Sequence, residues 1–331
     1  MKIIYFHRKS SPLAMSIEEN FKDFIAKMAE SNDVEVFSVP YAGGNPINLW
    51  RNIRFIRKHS TKDGINHITG DIHYGILGLI GRKSVLTIHD DYAMRTAHRG
   101  PLDKLYKYIF WIWLPIKFAS AVVCTTPSVL KSIKKYYNSK KMQVITHQYL
   151  PPIFSPKHKP FNKECPVFLQ IGTEKHKNLE TTIEVIKGMN VKLHVLNKMT
   201  DKQIELCHKY NIDFTNRYGL PFNEVVAEYD NADIVLFPTL FEGLGMPTLE
   251  AQAAGKPVIT TNKEPMNWVA GPEGALFLDN PLDVNEYKAK LKLLIDDEAL
   301  RNHLIKNGLN NIKRFTLDNA IKLYGDVYNR L

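Results

Sequence analysis

Short runs of β-branched and aromatic residues alternate with amphipathic helical patterns along the whole chain, and this alternation restricts the fold more than any other feature. In the first half the strand candidates are KIIYFH, EVFSVP, INHITG, SVLTIHD, AVVCTT and QVITH. Between them lie the helical patterns SIEENFKDFIAKMAE, INLWRNIRFIRK, PLDKLYKYIFWIWLPIKFA (101–119) and PSVLKSIKKYY. The second half repeats the scheme with PVFLQIG, VKLHVLN, IDFTNRYG, DIVLFPT, PVITTN and ALFLD. Strands interleaved with helices imply parallel sheets covered on both faces. Prolines at 151, 152, 156, 160 and 166 separate the two halves and read as a linker. The expected architecture is two doubly wound α/β domains, 1–150 and 165–331, joined by residues 151–164. The last segment, 316–331, is helical by periodicity, with Ile321, Tyr324, Val327, Tyr328 and Leu331 on one side. It could seal either domain.

Composition narrows the function classes. A chain of 331 residues with 44% apolar and 24% charged residues can build two ordinary cores. Three scattered cysteines, Cys124, Cys165 and Cys207, imply neither a disulfide framework nor a metal cluster. The apolar run after Met1 is too short for a signal peptide. The most apolar stretch, residues 108–124, is interrupted by Pro115 and Lys117. A cytoplasmic protein is expected. Residues 1–150 hold 22 Lys and Arg against 11 Asp and Glu, whereas residues 151–331 hold 22 against 23. The whole positive excess therefore sits in the first half. That half either faces something anionic, such as a lipid surface or a phosphate-bearing acceptor, or is simply a solvated basic surface. No recognition motif supports nucleic-acid binding.

The stretch FEGLGMPTLEAQAAGKPVIT, residues 241–260, holds most of the chemistry. DIVLFPT before it reads as a central parallel strand, so Glu242 falls at a carboxyl end, where α/β folds bind ligands. Gly243 and Gly245 permit a sharp turn and close approach of a ligand. Pro247 suits a helix start and Gly255 a helix end. The first helical amides lack partners and the helix dipole is positive there, so the 243–248 turn fits a phosphate. A carboxylate is a poor neighbour for phosphate. Glu250 would therefore offer its oxygens to a vicinal diol such as ribose, and Glu242 would meet whatever lies beyond the phosphates. A nucleoside diphosphate sugar has that order of parts. The plainer readings are a first-turn glutamate complementing the dipole and a solvated loop glutamate.

With these residues in place, EGLGMPTLEAQAAGKPVITT resembles the E-x7-E signature of retaining GT-B glycosyltransferases of family 4, and is similar to bacterial members. The likeness extends through AEYDNADIVLFPT and IGTEKHKN, and is weaker in the first half. It implies a GT-B fold: two Rossmann-like domains facing each other across a cleft, the first binding the acceptor and the second the donor. It implies transfer of a hexose-type sugar from a UDP or GDP donor, with retention, to a glycan or lipid-linked acceptor, as in cell-surface polysaccharide synthesis. No metal or other cofactor is implied. Asp90 and Asp91 adjoin each other but follow a strand of the acceptor domain.

Residue by residue, the resemblance gives Glu242 the stabilisation of positive charge at the anomeric centre and Glu250 the ribose hydroxyls. Gly243, Leu244, Gly245 and Met246 would hold phosphate or sugar hydroxyls through their amides. Lys177, before the N-cap candidate Asn178, would neutralise the diphosphate. Thr173 belongs to the donor-binding set but stands where the family often has arginine. Lys175 or a residue of the other domain would then complete the basic clamp. His89 would contact the donor sugar across the domain gap, and Tyr218 would lie beside the nucleobase. The family's N-terminal glycine loop is absent from FHRKSSPLAMS. Arg8 and Lys9 are read there with the acceptor, and Ser10 and Ser11 carry no assignment. The aromatic pattern YKYIFWIWLPIKFA reads as a helix covering the first sheet, or as a peripheral contact with anionic membrane at the inner face. Two other functions remain compatible with the scaffold: a nucleotide-sugar 2-epimerase and a non-catalytic nucleotide-sugar-binding module.

Overall fold

The computed structural model describes residues 1–9, 16–95, 100–146, 154–157 and 159–331. Ser10, Ser11 and residues 151–153 and 158 of the expected linker lie outside the described residues. The chain divides into two compact units: Met1–Tyr149 together with Phe315–Leu331, and Leu150–Arg314.

In the first unit β1 (Lys2–His7), β2 (Asp33–Ser38), β3 (Ile65–Ile68), β4 (Ser84–Ile88), β5 (Ala121–Cys124) and β6 (Met142–Val144) form one sheet. Its order is β2-β1-β3-β4-β5-β6, with every pairing parallel. The pleat sends alternate side chains of β1 to opposite faces, and both faces are apolar cores. Ile3 and Tyr5 join Phe21, Phe24 and Tyr324, whereas Ile4 and Phe6 join Leu49, Ile56 and Ile112.

The helix Leu317–Asn329 belongs to this first unit. Thr316 caps it, accepting from the Asn319 amide. Tyr324 and Tyr328 are buried. The Tyr328 hydroxyl lies 2.7 Å from His67 Nδ1, and His67 Nε2 lies 2.8 Å from Thr87 Oγ1. Thr87 in turn meets the Tyr324 hydroxyl at 3.1 Å. Burial, then the neighbouring His7 and His89, pushes the His67 pKa down to about 3, so this imidazole is neutral.

Residues 101–119 depart from the single α-helix expected there. An α-helix at Pro101–Lys107 passes into a π-helical turn at Tyr108–Trp113 and then an α-helix at Leu114–Phe118. The Leu114 amide donates to the carbonyl of Ile109, one residue further back than in an α-helix. Pro115 cannot donate to the carbonyl of Trp111. That oxygen instead accepts from His73 Nδ1 at 2.8 Å. Only one face of the segment is covered: Ile112 and Ile116 are buried, whereas Leu105 and Phe118 are exposed. Among the described residues no helix is long and apolar enough to cross a membrane.

The second unit has β7 (Val167–Ile171), β8 (Lys192–Leu196), β9 (Asp213–Arg217), β10 (Ile234–Phe237), β11 (Val258–Thr261) and β12 (Leu276–Leu278). Their order is β12-β11-β10-β7-β8-β9, again parallel throughout. Strand order reverses between β7 and β10. The carboxyl ends at such a reversal are where sheets of this kind bind ligands.

Candidate active site

The two loops at that reversal are tied to each other. After β10, the Leu240 amide donates to the His176 carbonyl at 2.8 Å. The Thr239 carbonyl accepts from the Thr261 hydroxyl at 2.6 Å. Thr239 Oγ1 lies 2.9 Å from Glu242 Oε1 and 3.1 Å from the carbonyls of His176 and Phe241, so its single proton serves three acceptors. After β7, Gly172 takes φ +91°, and a Cβ there would stand 2.6 Å from Lys177 Cγ. Only glycine lets the lysine stem lie against this turn.

The stem delivers Lys177 Nζ to Glu242 Oε1 at 2.6 Å, with the two side chains only 16% and 13% exposed. The ammonium also sits 5.0 Å from the Phe237 ring centroid. His176 stacks on Phe241 and approaches Glu242 to 3.9 Å.

The Gly243–Gly245 turn leads into the helix Met246–Ala253, with Gly245 at φ +91° in the N-cap position. Among the described residues the amides of Gly243, Leu244, Gly245 and Met246 have no hydrogen-bond acceptor. The space a Gly243 Cβ would take is open. Gly255 ends the helix at φ +66°, and the Lys256 amide reaches back to the Ala251 carbonyl at 2.9 Å.

Glu250, one turn into the helix, accepts the Tyr229 hydroxyl at 2.5 Å. Burial raises its pKa, and the Tyr229 hydrogen bond and the charge of Lys177 work against that rise. Tyr229 is fully buried, so this second carboxylate is anchored by a rigid partner.

The second unit thus brings together Lys177, Glu242, Glu250 and the open amides of 243–246. The other expected site residues stand differently. Thr173 has its hydroxyl on the Lys198 carbonyl at 2.8 Å and its own carbonyl on Gln203 Nε2 at 2.8 Å, so it holds the loop. Tyr218 is 58% exposed just past β9, which excludes a core role, and Lys198 Nζ lies 5.9 Å from its ring. Asn178 occupies the N-cap position but does not cap. Its backbone is left-handed, φ 61°, and its amide donates instead to the carbonyls of Pro238 and Pro281, which staples the two loops. His89 lies in the first unit, past β4. Its Nε2 donates to the Thr69 carbonyl at 2.6 Å, and burial lowers its pKa despite that bond. It is a neutral imidazole with the proton on Nε2.

Sequence reasoning missed three contributors: His176, Thr239 and Tyr229. Tyr229 was in view within AEYDNAD, but nothing in its spacing tied it to a glutamate 21 residues on.

With this geometry the likeness to known proteins becomes specific. Residues 154–311 match the family Glycosyl transferases group 1. That match falls within the second unit. The chain is similar to the O-antigen chain mannosyltransferase RfbU of Salmonella typhimurium, 26% identical over 258 residues, covering 74% of this chain and 69% of RfbU. It is also similar to the serotype-specific mannosyltransferase WbdA of Escherichia coli, 31% identical over 109 residues. That match covers 33% of this chain and 13% of WbdA, so the chain spans about an eighth of that relative. Among solved structures, Anabaena HepE in complex with UDP and glucose superposes with a TM-score of 0.73 at 12% identity, covering both chains completely. The fold is that of GT-B glycosyltransferases, two Rossmann-like units each with a parallel six-stranded sheet.

Proposed function

We propose that this chain is a retaining, metal-independent family 4 glycosyltransferase that moves a hexose from a UDP or GDP sugar to a hydroxyl of a glycan or lipid-linked acceptor. The observation that carries this reading is the juxtaposition of the Lys177–Glu242 pair with four unpartnered amides at one helix amino end. Those amides and the Lys177 ammonium suit a diphosphate, and the charge that builds on it as the anomeric C–O bond breaks is stabilised there. The bond from the anomeric carbon to the acceptor oxygen forms as that bond breaks, and the acceptor proton leaves with the nucleoside diphosphate or to water. The Glu242 carboxylate stabilises the positive charge that develops on the sugar, and Glu250 accepts from the ribose hydroxyls.

The names of RfbU and WbdA put mannose first among the hexoses and cell-surface polysaccharide first among the products. HepE, seen with UDP and glucose, supports a nucleotide-sugar donor. A cytoplasmic location with peripheral contact to anionic lipid is consistent with exposed Ile47 and Trp50 on the same helix as Arg51 and Arg54.

The test is incubation with radiolabelled UDP and GDP sugars and a cell-envelope extract as acceptor source. Transfer of label with release of nucleoside diphosphate is expected. An isomeric nucleotide sugar, or binding without turnover, would replace this reading with an epimerase or a binding module.

A further inference from the structure

Lys177, Glu242 and the open amides follow the carboxyl ends of the second sheet. A different cavity, of about 660 Å3, lies at its amino ends. Asp233, just ahead of β10, and Pro257, just ahead of β11, line it. The remaining walls come from the chain ahead of β7, from Gly255 and Lys256, and from the helix Glu298–Asn311. The two places thus stand at opposite ends of the same strands.

Among the described residues the cavity is lined by the cations Lys157, Lys159, Lys163, Lys256 and Arg301 and by the carboxylates Asp233 and Glu298. Lys157 pairs with Asp230 at 2.5 Å, Lys159 with Asp233 at 3.1 Å and Lys163 with Asp296 at 3.6 Å. Lys256 and Arg301 are only 6% and 8% exposed, and among the described residues neither forms an ion pair. Both heads are held by helix carbonyls. Lys256 Nζ donates to the Asp230 carbonyl at 2.8 Å, in the last turn of the helix Phe222–Asn231. Arg301 Nη1 donates to the carbonyls of Leu294 and Ile295 at 2.8 and 2.9 Å, near the end of the helix Val284–Asp296. Its guanidinium carbon stands 3.8 Å from the Phe161 ring centroid. These bonds leave two Lys256 protons, and the Arg301 protons on Nε and Nη2, without an acceptor among the described residues. Capping a helix explains the bonds made but not the donors left over. Burial, then the charge of Lys159, lowers the Lys256 pKa against the pull of Asp233 and Asp230. Two shielded cations that share a cavity and lack acceptors are an arrangement that an anion completes.

We propose that this cavity is a binding site for a phosphate monoester. The Nε–Nη2 edge of a guanidinium matches two phosphate oxygens, and Lys256 adds a point charge beside it. Phe161, Pro257 and Ile305 supply apolar surface for the organic part, and the volume falls in the range of small-molecule pockets. The five lining cations face four carboxylates once Asp230 and Asp296 are counted with Asp233 and Glu298, so the site suits one phosphate and disfavours a polyphosphate. A ligand there would tie the chain ahead of β7 to the sheet. It would also grip the residue that ends the helix Met246–Ala253, since the Lys256 amide bonds the Ala251 carbonyl at 2.9 Å. The site does not depend on the transferase reading.

Isothermal titration of the full chain with glucose 6-phosphate, ribose 5-phosphate and glycerol 3-phosphate tests this, with glucose as the neutral control. The same titrations in Lys177→Ala set binding at the donor loop apart. At least one monoester should bind both chains alike, and glucose should bind neither. Arg301→Lys keeps the charge and a donor for the helix carbonyls but loses the fork, so affinity should fall about tenfold, the equivalent of one charge-assisted hydrogen bond. Lys256→Gln should lose about as much. Glu298 is exposed, so Glu298→Gln disturbs no buried group and should tighten binding by about two- to fivefold. That variant stands in if the buried ones melt early. Vesicles containing phosphatidic acid, whose headgroup is a phosphate monoester, form a second arm. Flotation with them that is lost in Arg301→Lys would place the phosphate on a lipid, and binding of the free esters alone would place it on a soluble metabolite. No binding of any monoester, free or in vesicles, binding that disappears in Lys177→Ala, or unchanged affinity in folded Arg301→Lys and Glu298→Gln would overturn the proposal.

Discussion

Replacing Glu242 with glutamine separates the two tasks assigned to the Lys177–Glu242 pair. Without donor, Lys177 is committed to Glu242 at 2.6 Å in a spot where both side chains are largely shielded. A diphosphate must draw the ammonium away from the carboxylate. Both bonds are charge-assisted by the ammonium, but only the carboxylate adds the attraction of a second charge, about 1–1.5 kcal/mol for a shielded pair. The glutamine variant therefore gives up Lys177 for about 1–1.5 kcal/mol less, and it also removes a negative charge facing the phosphates. UDP or GDP should bind about five- to tenfold more tightly. Turnover should fall by about 10²–10³ or more, since the group opposing the anomeric charge is gone. Isothermal titration with the free diphosphates and a radiolabel transfer assay on the same preparation read the two effects. Thr239 can still donate to the amide oxygen, so the loop should keep its shape and the melting temperature should stay near that of the parent. Weaker diphosphate binding in a folded variant would refute the competition argument. Transfer at the parent rate would refute the role of the carboxylate.

Other expectations follow from the same geometry. Lys177→Ala should weaken nucleoside diphosphate binding by about tenfold or more while leaving the free nucleoside unaffected, and equal losses for both in titration would count against a phosphate contact. Gly172→Ala combines positive φ with a Cβ 2.6 Å from the Lys177 stem, so it should cost about 1–3 kcal/mol in thermal unfolding and weaken diphosphate binding as well. Glu250 has a raised pKa, so ribose recognition should fail on the acid side above the ordinary carboxylate range. Tyr229→Phe removes a bond to the charged form and should move that limb to still higher pH; an unmoved limb would show that another group sets it. His67 has a depressed pKa, so the unfolded chain binds the extra proton first and the first unit should lose stability as pH falls from about 6.5 towards 3. His67→Gln should flatten that dependence, as followed by circular dichroism against pH.

How much of this was legible depends on the range of the interaction. The strands could be read because β10 is an unbroken apolar run and β7 is interrupted only by Gln170, and a strand buried on both faces can hardly be written otherwise. Gly243, Gly245 and Gly255 were legible because a turn and a helix end impose local backbone angles. The pairing of Lys177 with Glu242 was not, since 65 residues separate them and each residue had its own local reading. Asn178 looked like a cap by local rules, but the carbonyls of Pro238 and Pro281 compete for its side chain and win. The 101–119 pattern read as one helix because its periodicity is nearly continuous. The π-helical turn depends on what Pro115 cannot donate and on His73, 38 residues away, which takes the freed carbonyl.

The Leu317–Asn329 helix supplies Tyr324 and Tyr328 to the core of a sheet whose strands end at residue 144. The second unit is therefore written inside the sequence of the first, like a clause in parentheses. On the ribosome it can close before the module that began first, whose aromatic core must wait with one wall missing until the final turns emerge. A nascent chain stalled before residue 317 should accordingly hold a protease-resistant second unit beside a sensitive first one.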